Sequence, residues 1–149
     1  MQNFNVAGLA EISEPNEVWR QSSIAIYYWI SNKGRVYSTL SCKLIQPEIS
    51  KDGYQRVFLL TETGTFKHYF VHFLVATEFL QKPKGATERL QIHHISGDKC
   101  DNSAANLIWV TPKQHRAIHD YLKKHRDLWK ELFEKLEGLE NLEGGDVNA

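Results

Sequence analysis

Alternating apolar and polar positions predict a small antiparallel sheet in the first half of the chain. Residues 23–30 and 35–38 are rich in β-branched and aromatic side chains and flank the turn-forming sequence Ser-Asn-Lys-Gly, which predicts a β-hairpin. Two further strands are predicted at 54–60 and 65–71, each preceded by a turn that ends in glycine. Residues 1–16 lack periodicity and are expected to form a flexible arm.

The spacing of apolar residues changes in the second half. Residues 72–80 place them at intervals of three and four, which predicts a short helix. A strand is expected at 89–95, a loop at 98–105 and a second strand at 107–110. The fold class is therefore α+β, with a β-rich module followed by a β-loop-β-α unit.

A helix is predicted to start at Pro112. Thr111 suits the N-cap, proline suits the first helical position, and Gln114 completes a capping box. The helix either runs on or resumes after a kink over residues 127–142, where an apolar stripe docks on its own domain or pairs with a second copy. We expect a monomer, with a homodimer through this helix as the alternative. The stripe consists of Leu128, Leu132, Leu136 and Leu139, beside Trp129 and Phe133.

The composition is that of a globular protein. Of 149 residues, 42% are hydrophobic and 24% charged, with nine glycines and four prolines, which excludes a disordered or collagen-like chain. No apolar run approaches the ~20 residues that a membrane span needs. Cys42 and Cys100 form no C-x-x-C pair and are expected to be reduced thiols, so we expect a cytoplasmic protein without membrane contact.

Charge is unevenly distributed behind a net charge of zero. Residues 51–126 hold twelve Lys/Arg against seven Asp/Glu, a balance of +5, and all seven histidines. Residues 128–149 hold two Lys against six Asp/Glu, a balance of −4. The asymmetry is either ordinary solvated surface or a basic body that binds nucleic acid, and the neutral total does not exclude the latter.

Four histidines are spaced in a way that suits a metal site. His93 and His94 are adjacent on a predicted strand, so they point to opposite sides and need different roles. His115 and His119 lie one turn apart on the predicted helix, where two imidazoles can bind one ion. A third imidazole from the strand would leave one position open, as in catalytic metal sites. The alternative is a histidine pair that faces solvent or phosphate.

These residues resemble the HNH nucleases, whose motif has the ββα-metal fold. His94, Asn106 and His115 match the three named residues, and the resemblance to the phage and intron-encoded homing-endonuclease branch covers residues 71–119. Upstream, residues 17–38 resemble the small NUMOD4-like DNA-binding module that commonly precedes this motif. The resemblance implies a module at 17–70, a nuclease domain at 71–126 and an acidic helix and tail at 127–149.

The resemblance also implies roles. His94 would be the general base that takes a proton from the attacking water, and Asn106 would orient His94 or brace the loop. His93 and His115, with His119 as third ligand, would hold one divalent metal ion that acts on the scissile phosphate.

Departures from the family pattern bear on the ion. Homing members often have Asp or Asn where this chain has His93 and His115, so the imidazole-rich site favours a transition metal such as Zn²⁺ or Mn²⁺ over Mg²⁺. Ser96 stands where the branch usually has Asp, and Phe73 where it usually has Arg, which removes a phosphate contact.

We therefore expect a metal-dependent endonuclease that hydrolyses double-stranded DNA, encoded by a phage or mobile element. The alternative is a non-catalytic DNA-binding protein with a structural zinc site, which would have no use for a histidine turned away from the ligands, as His94 is. Phosphate contacts would position the DNA. The candidates are Arg35, Lys33 and Asn32 in the module, and Lys99, Lys113 and Arg116 near the metal site.

Overall fold

The computed structural model describes residues 6–85 and 89–143, with side chains as far as residue 138. Within it the chain divides into two compact units, residues 1–110 and 111–149, and each is described separately.

The first unit begins with a four-stranded antiparallel sheet. The predicted hairpin is confirmed, since Tyr28 pairs with Ser38 across the turn, but residues 22–27 form turns because the Ser22 hydroxyl accepts the backbone N–H of Ala25. The sheet order is β1 (Trp19–Gln21), β2 (Tyr28–Ser31), β3 (Val36–Ser38) and β4 (Lys43–Leu44).

The segment before this sheet contains structure where a flexible arm was expected. A short helix α1 (Leu9–Ile12) buries Leu9, and the indole N–H of Trp19 donates to the Ser13 hydroxyl at 2.9 Å. Residues 1–5 lie outside the described part of the chain.

The rest of the first unit follows the predicted order of elements closely. Helix α2 and the last two strands lie within two residues of their predicted ends, and a 3₁₀ turn occupies the end of the predicted loop. The elements are β5 (Glu48–Ile49), β6 (Gln55–Leu60), β7 (Phe66–Phe70), α2 (Val71–Phe79), β8 (Gln91–His94), the 3₁₀ turn (Ala104–Asn106) and β9 (Leu107–Val110).

One hydrophobic core joins the β-rich module to helix α2 and the β8–β9 hairpin. The boundary expected at residue 70 falls inside this core, because α2 packs on β2, β6 and the β8–β9 hairpin. The buried side chains come from both sides of that boundary: Ala25, Tyr28, Ile30, Val36, Val57 and Leu59 before it, and Val71, Leu74, Val75 and Leu107 after it.

The second unit contains one helix, α3 (Pro112–Glu143). The predicted capping box is confirmed, since the Thr111 hydroxyl accepts the Gln114 N–H at 3.1 Å and the Gln114 side chain accepts the Thr111 N–H at 2.9 Å. The helix runs on unbroken through the boundary expected at residue 126. Its apolar stripe from Leu128 to Leu136 is exposed, and Leu139 lies beyond the described side chains. Among the described helices, none has the length and apolar character to cross a membrane.

Candidate active site

The two adjacent histidines lie on opposite faces of the β8–β9 hairpin. His94 pairs with Leu107, a core residue, and His93 pairs with Ile108, which is 46% exposed. Directly opposed residues share a face, so His94 points to the core side and His93 to the other. Each histidine is only 6% exposed.

His94 is enclosed by polar and aromatic groups of the first unit. Its Nε2 lies 2.8 Å from the Oδ1 of Asn102. Its ring centre lies 5.0 Å from that of His72 and 5.9 Å from that of Tyr54. The imidazole is thus fixed by a hydrogen bond on one nitrogen and by ring contacts on its sides.

His72 is the inner wall of this pocket. It stacks on Phe70 at 5.3 Å, and its Nδ1 is buried with no hydrogen-bond partner among the described residues. Burial, together with the neighbouring His94, lowers the pKa of His72 to about 4. His72 is therefore neutral at pH 7 and places no positive charge beside His94.

Asn106 braces the loop that joins β8 to β9. Its Oδ1 accepts the Ser96 N–H at 2.9 Å and its Nδ2 donates to the Asp101 carbonyl at 2.9 Å. The amide is used at both ends within the loop, and the side chain that contacts His94 is Asn102 instead.

The same loop is attached to the N-terminal module. The Asn102 Nδ2 donates to the Gln55 Oε1 at 3.0 Å, and the Ala104 N–H donates to the Asn32 carbonyl at 2.8 Å. Gly34 has a φ of +84°, and a Cβ there would lie 3.0 Å from the Asn102 carbonyl oxygen. The turn between β2 and β3 therefore needs glycine both for its backbone and for close contact with the loop.

His115 and His119 meet on α3 of the second unit. Their Nε2 atoms are 3.0 Å apart, and His119 is exposed. Burial and the neighbouring His119 lower the pKa of His115, which favours the neutral imidazole that a metal needs. Two imidazole nitrogens on one helix face form a preassembled pair of potential ligands.

Two of the proposed DNA contacts in the module have structural partners. Arg35 binds both carboxylate oxygens of Glu17, one of them through Nε at 2.8 Å, and its Nη2 donates to the Ile12 carbonyl. Burial would raise the pKa of Glu17, but hydrogen bonds and the charge of Arg35 outweigh it and lower the pKa to about 2. The Asn32 Oδ1 accepts the Val18 N–H at 2.8 Å. The Asn32 Nδ2 donates to the Asn16 carbonyl at 3.3 Å, so both side chains make contacts within the module.

The remaining candidate cations differ in the contacts that their side chains make. The Lys99 Nζ donates to the Asp52 carbonyl at 2.9 Å and lies over the Tyr54 ring. Lys33 lies 3.3 Å from the Glu14 carboxylate, a partly exposed pair that leaves ammonium protons for a phosphate. Lys113 and Arg116 are exposed on the first turns of α3.

Sequence reasoning missed Asn102, Tyr54 and His72 as parts of the His94 pocket. Tyr54 directly precedes β6 and His72 lies on α2, both far from His94 along the chain, and no local spacing relates them to His94. Asn102 is only eight residues from His94, but the loop between them has no periodic pattern that would fix its direction.

Two family models match the chain. The model described as HNH endonuclease matches residues 69–117, and the one described as NUMOD4 motif matches residues 17–59. The range of the HNH model contains His93, His94, His115 and the loop that Asn106 braces. The range of the NUMOD4 model contains the first sheet and most of β6.

Named relatives match about three fifths of the chain. DNA endonuclease I-HmuI of Bacillus phage SP01 is 42% identical over 87 residues, which cover 58% of this chain and 48% of the relative. H-N-H endonuclease F-TflII of Escherichia phage T5 is 35% identical over 89 residues, which cover 60% and 45%. The solved structure of DNA binding and cleavage by the HNH homing endonuclease I-HmuI aligns with a TM-score of 0.60 at 34% identity, covering 72% of this chain and 59% of that one. The chain spans about half the length of these two relatives.

Proposed function

This chain carries an HNH endonuclease motif behind a NUMOD4 motif, and from that premise we propose that it is a metal-dependent endonuclease that hydrolyses DNA phosphodiester bonds. The observation that carries the proposal is the placement of two adjacent histidines on opposite faces of β8. His94 is held in a pocket on the core side, and His93 lies on the other face. We propose further that the protein is encoded by a phage or mobile element and acts in the cytoplasm of a bacterial or phage-infected cell.

His94 is the proposed general base. A neutral imidazole takes a proton from a water molecule, and the oxygen of that water attacks the phosphorus. When His94 takes the proton, its ring becomes positively charged. Because the neighbouring His72 is neutral, it does not repel that charge. Asn106 contributes by bracing the loop, which keeps Asn102 and His94 at fixed positions.

His93, His115 and His119 are the proposed ligands of one divalent ion. Each offers one imidazole nitrogen, and the lowered pKa of His115 favours its neutral, ligating form. An all-imidazole donor set suits Zn²⁺ better than Mg²⁺, whose preferred ligands are oxygens. Such an ion would bind the scissile phosphate and stabilise the leaving 3′ oxygen.

Double-stranded DNA is the proposed substrate, positioned by cations of the module, of the β8–β9 loop and of α3. Lys113 and Arg116 are exposed on the helix that carries His115, and Lys33 and Lys99 retain ammonium protons beyond their present contacts. We assign Arg35 and Asn32 a supporting role, because their polar groups hold Glu17 and Val18 within the module.

Nicking of supercoiled plasmid tests the function. The full chain is incubated with Mg²⁺, Mn²⁺, Zn²⁺ or EDTA, beside His94→Ala, His115→Ala and His125→Ala variants. We expect nicking that EDTA abolishes and that His94→Ala lowers by roughly 10²–10⁴-fold, the usual contribution of a general base. His125 is the matched control, since it is an exposed histidine on the same helix as His115 with no proposed role.

The outcomes separate the two functions considered for this sequence. Undiminished nicking by His94→Ala, or none in any metal, would contradict the nuclease assignment. Retained zinc and DNA binding without nicking would instead support a DNA-binding protein with a structural zinc site. Zinc binding measured by calorimetry should weaken in His115→Ala and stay unchanged in His94→Ala and His125→Ala.

A further inference from the structure

We propose that Asn102 is a positioning residue that holds His94 in the tautomer protonated on Nε2, so that Nδ1 accepts the proton of the attacking water. The inference rests on the proposed endonuclease function and names a residue outside the His-Asn-His triad. It assigns the role of orienting the base to Asn102, whereas the sequence offered Asn106.

The orientation of the Asn102 amide determines where the His94 proton lies. The Asn102 Oδ1, 2.8 Å from the His94 Nε2, is an amide oxygen and can only accept a hydrogen bond. Nε2 must therefore carry a hydrogen. A neutral imidazole carries one, so Nδ1 presents the lone pair. Both residues are nearly inaccessible to solvent, at 3% and 6% exposure, so water competes poorly for this bond.

The direction of the Asn102 amide is set by its other end. Its Nδ2 donates to the Gln55 Oε1 at 3.0 Å, which leaves Oδ1 to face His94. Reversing the amide would turn its NH₂ group toward His94 and require the opposite tautomer, with the proton on Nδ1. The hydrogen bond from Asn102 to Gln55 on β6 thus supports the amide orientation that places the His94 proton on Nε2.

The backbone of Asn102 is held as firmly as its side chain. Its carbonyl lies against Gly34, and two residues on, the Ala104 N–H donates to the Asn32 carbonyl at 2.8 Å. The module that carries the NUMOD4 motif therefore positions the catalytic base through one asparagine.

The step balances in atoms and electrons. An O–H bond of water breaks, an N–H bond forms at Nδ1, and the oxygen forms a bond to phosphorus as the bond to the 3′ oxygen breaks. The 3′ oxygen leaves with the electron pair of that bond and takes a proton from solvent water. The imidazolium keeps its Nε2–H bond to the Asn102 carbonyl, whose dipole stabilises the new charge.

Nitrogen NMR of the His94 side chain in the metal-free full chain tests the tautomer. Spectra are recorded at about pH 8, where an ordinary imidazole is neutral. We expect the Nε2–H pattern in the wild type and in Asn102→Asp, which keeps an acceptor, and a shift toward Nδ1–H in Asn102→Leu. Asn16→Asp is the control and should keep the wild-type tautomer, because Asn16 is an exposed asparagine whose carbonyl contacts Asn32 rather than the His94 pocket.

Kinetics of plasmid nicking provide the second readout. Asn102→Leu should lower kcat by roughly tenfold to a hundredfold with little change in KM, because a misplaced base slows the chemical step and not DNA binding. Asn102→Asp should recover most of that loss.

An Nδ1–H tautomer in the wild type, or an unchanged tautomer in folded Asn102→Leu, would overturn the proposal. The wild-type spectrum decides even if the leucine variant fails to fold. A wild type that does not nick DNA would contradict the endonuclease function and leave the tautomer result standing, so the two failures are distinguishable.

Discussion

Glu17 and Arg35 form an ion pair at the edge of the first sheet, and it stabilises the segment that precedes β1. The Glu17 side chain has no exposed surface, and Arg35 also donates to the Ile12 carbonyl at the end of α1. The pair therefore fastens residues 12 and 17 to the turn that precedes β3. A carboxylate with a lowered pKa favours the folded state only while it is ionised.

Glu17→Gln should destabilise the protein by about 1.5–3 kcal/mol at pH 7, the usual range for a hydrogen bond to a charged group. Because the pKa of Glu17 falls from 4.5 to about 2 on folding, its contribution is fully present above 4.5 and is lost as the pH falls toward 2. The free energies of unfolding of wild type and variant, measured in urea, should therefore converge as the pH falls from 5 to 2. The difference between them should shrink by roughly the contribution of the ionised Glu17.

Glu14→Gln is the control for this prediction. Its carboxylate forms a partly exposed pair with Lys33, so the change should cost less than about 1 kcal/mol. Equal effects of the two substitutions would show that the buried ion pair stabilises the fold no more than the partly exposed pair does.

Individual residues of the site were predictable only where local geometry decides their direction. Strand alternation separated His93 from His94, and the helical repeat paired His115 with His119. The partner of His94 was not predictable, because the path of an irregular loop decides whether residue 102 or 106 reaches it. Arg35 was assigned to DNA from its sequence context, yet a carboxylate eighteen residues earlier occupies it.

At the scale of elements, two glycine turns with nearly identical backbones have different surroundings. Gly34 and Gly64 have φ values of +84° and +83°. A Cβ at Gly64 would meet nothing within 4 Å, whereas one at Gly34 would lie 3.0 Å from the Asn102 carbonyl oxygen. The Gly64 turn is open, and the Gly34 turn supports the loop of the candidate active site.

Alanine substitutions at these glycines should separate backbone strain from contact. Gly64→Ala should cost about 1–2 kcal/mol, the price of a left-handed conformation for a residue with a side chain. Gly34→Ala should cost roughly 1–3 kcal/mol more, because the loop must move to admit the methyl group. Unfolding in urea measures both, and only Gly34→Ala should also slow plasmid nicking. Equal costs would contradict the contact.

Element boundaries were most predictable where both patterning and end signals exist. Strand β9 and the start of α3 match their predicted positions, since a β-branched run and a capping box mark them. The strand predicted from residue 23 begins at Tyr28 because the Ser22 hydroxyl binds backbone N–H groups that a strand would otherwise use.

On the scale of the whole molecule, the negative charge of the second half of α3 and the tail largely cancels the positive charge of residues 51–126. The side chains of Glu131, Glu134 and Glu137 are exposed, so their charge reaches solvent and any nearby polyanion. Repulsion of this kind is long-ranged and screened by salt, with a Debye length of about 8–10 Å at physiological ionic strength.

Replacing Glu131, Glu134 and Glu137 together by glutamine should strengthen non-specific DNA binding several-fold at low salt, with a smaller gain at high salt. Fluorescence anisotropy with a random duplex measures it, and removing residues from Leu128 onward should act in the same direction. Lys135→Gln is the opposite-sign control and should weaken binding. Weaker binding by the folded triple variant would exclude an electrostatic brake.

The shared hydrophobic core has a consequence for how this chain could be recombined with its relatives. A chimera joined at residue 70 would place side chains of one parent, such as Val57 and Leu59, against Leu74 and Leu107 of another. Close-packed interiors tolerate such mismatches poorly. Residues 6–110 should therefore be exchanged between relatives as one block. Grafting a new recognition module alone would require redesign of the side chains that pack against α2.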